Sequence, residues 1–223
     1  TCSVDTEIIV VDDGSTDRTF DVARPLADKV LRYSANRGFA YALRYGCRHA
    51  SGTFVMTLPS DVWDFAFIPE AMRLVKEYDV VSVSKRHPQS VVIGYGFRRW
   101  AMANAYHLLI KFVCGRLVGT SDTHYVKVFR FGVLDEVLPH CNLNGAAGET
   151  EILVLARYRQ FSIVDIAGII FHSKSYSSHT FKSIVGDFFD VLRIRTSLKR
   201  FARSKTSARA THAHRLGTRK TSS

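Results

Sequence analysis

Glu7-Ile-Ile-Val-Val-Asp-Asp13 is an apolar run that ends on two carboxylates and is followed at once by Gly14-Ser15-Thr16-Asp17. A strand that is apolar on both faces must be covered on both faces. That is the situation of a parallel strand inside an α/β sheet, not of a half-solvated antiparallel one. The rhythm that follows agrees. Ser15 or Thr16 is placed to cap a helix carrying Phe20, Val22, Ala23 and Leu26. Lys29–Tyr33 reads as a second strand, Phe39–Ala50 as a helix stopped by Ser51-Gly52, and Thr53–Leu58 as a third strand. Ile68–Tyr78 reads as a helix with Pro69 in its first turn, and Asp79–Ser84 as a fourth strand. Strands separated by helices of this length are βαβ units, so the fold class is α/β with a mainly parallel sheet flanked by helices.

Beyond Ser84 the rhythm changes. Arg98–Cys114 is a long helix, Val126–Phe131 a strand and Glu149–Tyr158 a helix. Ser162–Ile166 and Ile169–Ser173 are expected to pair as short strands around Ala167-Gly168. Thr180–Arg200 has apolar residues near helical spacing, among them Phe181, Phe188, Phe189 and Leu192. This divides the chain into a domain over residues 1–180, an amphipathic helix over 181–200 and a basic tail over 201–223.

The net charge of +11 suggests a nucleic-acid partner until it is located. Residues 182–223 hold 11 basic and 2 acidic residues, whereas residues 1–181 hold 20 and 18. A protein that tracks phosphates spreads Lys and Arg over a folded face; here the domain is close to neutral, so no specific nucleic acid is expected. The tail, with eight Lys/Arg and no acid from Lys199 onward, cannot bury enough surface to fold and is expected to be disordered. An amphipathic helix feeding a polybasic tail suits an anionic membrane surface. The apolar runs fall short of the ~18 residues of a membrane span. The expected location is therefore cytoplasmic and peripheral to the membrane. Cys2, Cys47, Cys114 and Cys141 lie far apart without metal-ligand spacing and read as free thiols.

Ligands of open α/β sheets bind beyond the carboxyl ends of the parallel strands. Strand one ends in Asp12-Asp13, strand three leads to Asp61, and strand four leads to Lys85-Arg86. Carboxylates there suit a base edge, a ribose or a divalent cation, while Lys and Arg suit phosphate oxygens. Asp residues that merely cap turns are the alternative.

These residues also carry a resemblance. Glu7-Ile-Ile-Val-Val-Asp-Asp-Gly-Ser-Thr-Asp-Arg-Thr19 resembles the nucleotide-binding segment of inverting family-two glycosyltransferases of the GT-A (Rossmann-like) fold. Asn36-Arg37-Gly38-Phe39-Ala40-Tyr41-Ala42 is similar to the family's next segment. Asp122-Thr123-His124-Tyr125-Val126-Lys127-Val128-Phe129 resembles a stretch of the polyprenyl- and dolichyl-phosphate sugar synthases. Gly148-Glu149-Thr150-Glu151-Ile152-Leu153 and His172-Ser173-Lys174-Ser175 fall where those enzymes carry an acidic helix and a phosphate loop.

The resemblance implies transfer of a hexose from a nucleoside diphosphate sugar to a polyprenyl phosphate or a glycan. Asp12, Asp13, Arg37, Asp61 and Arg86 would bind the nucleotide sugar. Asp61 would hold Mg or Mn, Lys127 and Lys174 would face the acceptor phosphate, and Asp122 and Glu151 would be catalytic. The family's opening strand, roughly V-S-V-V-I-P-x-Y-N-E, is expected upstream of residue 1, so the domain reads as truncated at its N-terminus. The metal motif reads Pro59-Ser60-Asp61 in place of Asp-x-Asp, with Asp64 as a second carboxylate nearby. An inactive, scaffold-like relative is the alternative to an enzyme, and a nonspecific nucleic-acid binder acting through the basic tail is the other.

Overall fold

The opening apolar run forms β1 (Ile9–Asp12), which pairs in parallel with β2 (Lys29–Arg32), Ile9 opposite Lys29 and Asp12 opposite Arg32. The structure is a computed structural model that describes residues 5–94, 96–171 and 186–203, with Arg98 and Arg99 as backbone. Between β1 and β2 lies α1 (Thr19–Ala23). Its N-terminus is not capped by Ser15 or Thr16: the Asp17 carboxylate accepts the Thr19 backbone N–H (2.9 Å) and the Thr19 hydroxyl (2.5 Å). A carboxylate two residues ahead reaches that N–H in an Asx turn, so the helix starts later than the hydroxyls suggest.

The chain continues through α2 (Phe39–His49), β3 (Phe54–Thr57), α3 (Ile68–Leu74), β4 (Val80–Val83), β5 (Val91–Ile93) and α4 (Phe97–Cys114). Then come β6 (Lys127–Arg130), α5 (Phe131–Val137), α6 (Ala147–Tyr158), β7 (Ile163–Ile166), β8 (Ile169–Phe171) and α7 over residues 186–203.

One sheet has the order β3-β6-β4-β7. β6 is antiparallel to both β3 and β4, and β4 is parallel to β7. Three of the five strand pairs among the described residues are parallel, as the βαβ rhythm predicts; the inserted β6 supplies the two antiparallel ones. The insertion places the start of β6 beside the carboxyl ends of β3 and β4, since Lys127 lies opposite Thr57 and Ser82.

β4 is buried at every position because both faces are covered. Val81 and Val83, with Val126 and Val128, pack under α3, while Val80 and Phe129 pack against α5 and α6. β7 and β8 do not form the expected hairpin. β7 lies beside β4, and β8 pairs in parallel with β5, so Ala167-Gly168 crosses from one sheet to the other. Gly168 is required there because a Cβ would meet Val83 Cγ1 at 2.5 Å.

α7 extends the ordered fold beyond the expected boundary at residue 200. Val191, Ile194 and Phe201 share its buried face, and Phe201 packs on the rings of His140 and Tyr158. Composition put Phe201 in the basic tail; its helical spacing from Val191 and Ile194 puts it in the core. Cys47, Cys114 and Cys141 are buried free thiols, and Cys2 lies outside the described residues.

Candidate active site

The loop between α4 and β6 is pinned from below. Asp165 of β7 accepts hydrogen bonds from the Thr120 and Ser121 hydroxyls and from the Ser121 N–H. Tyr125, at φ 99°, turns the chain from this loop into β6, a conformation that costs a side-chain-bearing residue energy.

Held this way, Asp122 points back at the end of β4. Its Oδ2 accepts the Lys85 N–H (3.3 Å) and pairs with Lys85 Nζ (3.2 Å), and its Oδ1 accepts the His124 N–H (3.2 Å). Burial alone would raise this carboxyl. The charges of Lys85, Lys127 and His124 and the backbone hydrogen bond outweigh burial and hold it below the ordinary carboxylate range.

A second group adjoins the first. His124 Nδ1 lies 3.3 Å from Glu149 Oε2, and Lys127 Nζ lies 4.0 Å from Glu149 Oε1. Lys127 is fully buried and Glu149 nearly so. Burial pushes the Lys127 amine down, and the charges of Glu149 and Asp122 oppose that. The sequence suggests a phosphate role for Lys127; in the structure alternation along β6 turns its side chain toward α6, where its amine faces the Glu149 carboxylate.

Glu151 does not join this cluster. Two residues along a helix is about 200° around it, and the Glu151 carboxylate instead accepts the N–H groups of Asn142 and Leu143, each at 2.9 Å. Glu149, not Glu151, is the acid that α6 brings to Asp122 and His124. Periodicity could not discriminate between them, because α6 is buried on every side from Ala147 to Ala156.

Arg86 turns toward α4: its guanidinium donates to Asn104 Oδ1 (2.7 Å) and to the Ala103 carbonyl (3.1 Å). Lys85, Arg86, Tyr106, His107, Asp122 and His124 line a cavity of about 40 Å³ between α4 and the loop. That is room for a water molecule, so these groups form the wall of the rim and not an enclosed substrate pocket. A larger cavity of about 500 Å³, lined in part by Gly52, Asp79 and Arg130, opens at the opposite end of the strands.

His107 faces the wall on α4. Burial, then the nearby charges of Arg86 and Lys111, push its imidazole down to about 4. The unfolded chain therefore takes up this proton near the ordinary value of 6.5 while the folded one does not. Stability from this site is complete above pH 6.5, falls as pH drops through the interval down to about 4, and changes no further below it. Urea midpoints measured across that interval are expected to decline, and His107→Gln is expected to reduce the slope.

On the rim side of β3, Asp61 is exposed and Asp64 is half-buried, with its Oδ2 enclosed and without a hydrogen-bond partner. Burial and the negative charges of Asp61 and Asp64 raise the Tyr125 phenol, which places both carboxylates near that ring. Among the described residues no three His, Cys, Asp or Glu side chains converge as a metal centre. A pair of carboxylates is nevertheless what a Mg-type ion needs when substrate phosphates and water complete its shell, and the orphaned Asp64 oxygen fits that use.

At the end of β1, Asp12 is buried, accepts the Ser15 N–H (2.8 Å) and pairs with Arg32 (3.2 Å). Asp13 accepts the N–H groups of Arg37 (2.7 Å) and Gly38 (2.9 Å). The Arg37 side chain lies over Tyr33 and Tyr41 and donates to the Tyr41 hydroxyl (2.6 Å). The start of α2 that follows is tied to the segment just before α6, because Ala40 N–H donates to the Asn144 carbonyl (2.9 Å). Lys174 lies outside the described residues.

Residues 3–138 match the family described as Glycosyl transferase family 2. The chain belongs to that family. This family-2 chain is 28% identical over 175 residues to the dolichyl-phosphate beta-glucosyltransferase ALG5D of Trichomonas vaginalis, covering 72% of this chain and 53% of that protein. It is 24% identical over 205 residues to the dolichyl-phosphate beta-glucosyltransferase of Dictyostelium discoideum, covering 85% and 62%. It thus spans between about half and three-fifths of these curated relatives.

Among solved structures, the glucosyl-3-phosphoglycerate synthase of Mycobacterium tuberculosis in complex with Mn2+, UDP and glucosyl-3-phosphoglycerate superposes with a TM-score of 0.63 at 17% identity, over 86% of this chain and 68% of that one. The mannosyltransferase PcManGT of Pyrobaculum calidifontis, in complex with GDP-Man and Mn2+, gives 0.52 at 16% identity, over 96% and 70%. The fold is that of the GT-A transferases, as the motif series predicts.

Proposed function

We propose that this family-2 chain transfers a hexose, glucose by the names of its relatives, from a nucleoside diphosphate sugar to a polyprenyl phosphate, inverting the anomeric carbon. The observation that carries the choice of acceptor is the state of Asp122. A carboxylate clamped by Lys85 and held below its ordinary range is a weak proton acceptor. A glycan hydroxyl would need a base to take its proton, whereas a lipid phosphate brings an oxygen that is already anionic. The dolichyl-phosphate transferases among the relatives support the same acceptor.

Within this reading Asp12, Asp13 and Arg37 bound the nucleoside end of the rim, and Arg86 and Lys174 would be the cations that meet phosphate oxygens. Lys85, clamped to Asp122, contributes positive charge beside the reacting sugar, and the His124–Glu149–Lys127 group holds that wall rigid. Asp61, with Asp64 behind it, would hold a Mg or Mn ion, which when bound supplies charge to the leaving diphosphate. The Mn2+ complexes among the structural neighbours support such an ion. The polybasic stretch after Lys199 supports a peripheral position on the cytoplasmic face of a membrane.

The test is transfer of labelled glucose from UDP-glucose to dolichyl phosphate in detergent with Mn. Label is expected in the lipid fraction, and Asp61→Ala is expected to lower the rate by about 100-fold, the scale of losing one charge-stabilising group. Nucleotide binding without transfer would identify the scaffold alternative, and label entering only a glycan would move the acceptor to a hydroxyl.

A further inference from the structure

α4 presents two different faces. Ile110, Val113 and Cys114 are buried against Ala147 and Val154 of α6 and against Val191 and Ile194 of α7. The other face holds Phe97, Ala101, Ala105, Leu108 and Phe112, spaced so that they fall in one stripe along the helix. Phe97, Leu108 and Phe112 are 78%, 65% and 83% exposed, and Trp100, half-exposed, stacks on Phe97 with ring centres 5.9 Å apart. An apolar stripe on an 18-residue helix is more than the scattered single residues normal on a protein surface.

We infer that this stripe is the surface on which the chain lies against an anionic lipid bilayer, with α4 in the plane of the interface. The occupant is argued from charge. Arg98, Arg99, Lys111 and Arg116 lie on or just after this helix, and residues 97–118 hold no Asp or Glu, so the stripe sits in a wholly cationic stretch of the sequence. An apolar face set among cations, with Trp and Phe on it, matches the boundary between anionic headgroups and acyl chains. No described helix is long and apolar enough to cross a membrane, so α4 would rest on the bilayer rather than enter it end-on.

The inference rests on the lipid-phosphate reading above and makes it specific. Asn104, one helical step from Leu108 at the edge of the stripe, accepts from Arg86, as does the Ala103 carbonyl, and Tyr106 and His107 line the wall from further round α4. A phosphate rising from the bilayer along α4 would meet Arg86 and Lys85 first. The sequence expectation assigned membrane contact to residues 181–200 and the tail; in the structure Val191, Ile194 and Phe201 face the core, while Phe188, Phe189 and Leu192 stay about half-exposed, so that segment can add to the surface α4 offers.

The experiment is flotation of the full chain with phosphatidylcholine vesicles, with and without phosphatidylserine, comparing wild type with Leu108→Asp/Phe112→Asp. Both side chains are exposed, so the variant should fold, which circular dichroism and UDP binding verify. Wild type is expected to float with the anionic vesicles, and the variant to lose about tenfold or more of that binding. Unchanged flotation of the variant would overturn the inference and leave the tail as the anchor. A wild-type dimer that the variant dissociates, or a stripe that binds a protein and no vesicle, would overturn it as well. Transfer to a short-chain polyprenyl phosphate in detergent, run in parallel, separates the two readings. Transfer retained by a non-floating variant supports the surface. Absence of transfer in wild type that still floats through the stripe counts against the acceptor and not the surface.

Discussion

Glu149→Ala is expected to destabilise the fold by about 3 kcal/mol, because it leaves a buried ammonium without its nearest carboxylate. Lys127 is fully buried on the α6 side of β6, and Glu149 is the first of the charges that keep its amine protonated against burial. Removal forces Lys127 either to stay charged with only the lesser support of Asp122 and Asp165 or to give up its proton, and both raise the energy of the folded state. Urea unfolding measures the loss. Lys127→Met in the Glu149→Ala background removes the stranded charge and should recover much of the stability, so the two effects are strongly non-additive. Additive losses, or a single variant within about 0.5 kcal/mol of wild type, would show that the pair contributes little.

Gly148→Val is expected to cost about 3 kcal/mol and to abolish nucleotide binding as well. A Cβ on Gly148 would stand 2.4 Å from Ala40 Cβ and 2.5 Å from the Leu143 carbonyl oxygen, so α2 and α6 would have to separate. That contact joins the two halves of the site: Asp13 holds the Arg37–Gly38 loop, Ala40 bonds Asn144, and α6 carries Glu149. Gly132→Ala, where nothing lies within 4 Å of the added carbon, is the control and should leave both properties unchanged. Thermal melting together with UDP titration reads the two effects.

The strands and helices through Ser84 were legible because their signals are local. The all-apolar β4 is buried on both faces as its composition requires, and Asp12, Asp13 and Asp61 lie at or just beyond the ends of β1 and β3. What the residues did not disclose depends on tertiary partners. Alternation along the inserted β6 turns Lys127 toward Glu149 of α6, which its resemblance to a stretch of the polyprenyl-phosphate sugar synthases could not disclose. β7 and β8 each had an apolar run and a glycine between them, which suits a hairpin as well as it suits two parallel partners in different sheets. Glu149 and Glu151 sit in a helix buried all round, so amphipathic phase could not say which faces the site. Phe201 looked like part of a polar tail because composition averages over a window, while burial is decided by one helical face.

The rim of this sheet is proposed to hold a nucleoside diphosphate through a divalent cation at Asp61. The most direct test of that proposal is calorimetric titration of UDP, and of GDP, into the full chain with and without Mn. Saturable one-to-one binding that requires Mn and is lost in Asp61→Ala is the predicted result. Absence of heat with either nucleotide in the presence of Mn, from a chain shown to be folded, would contradict it.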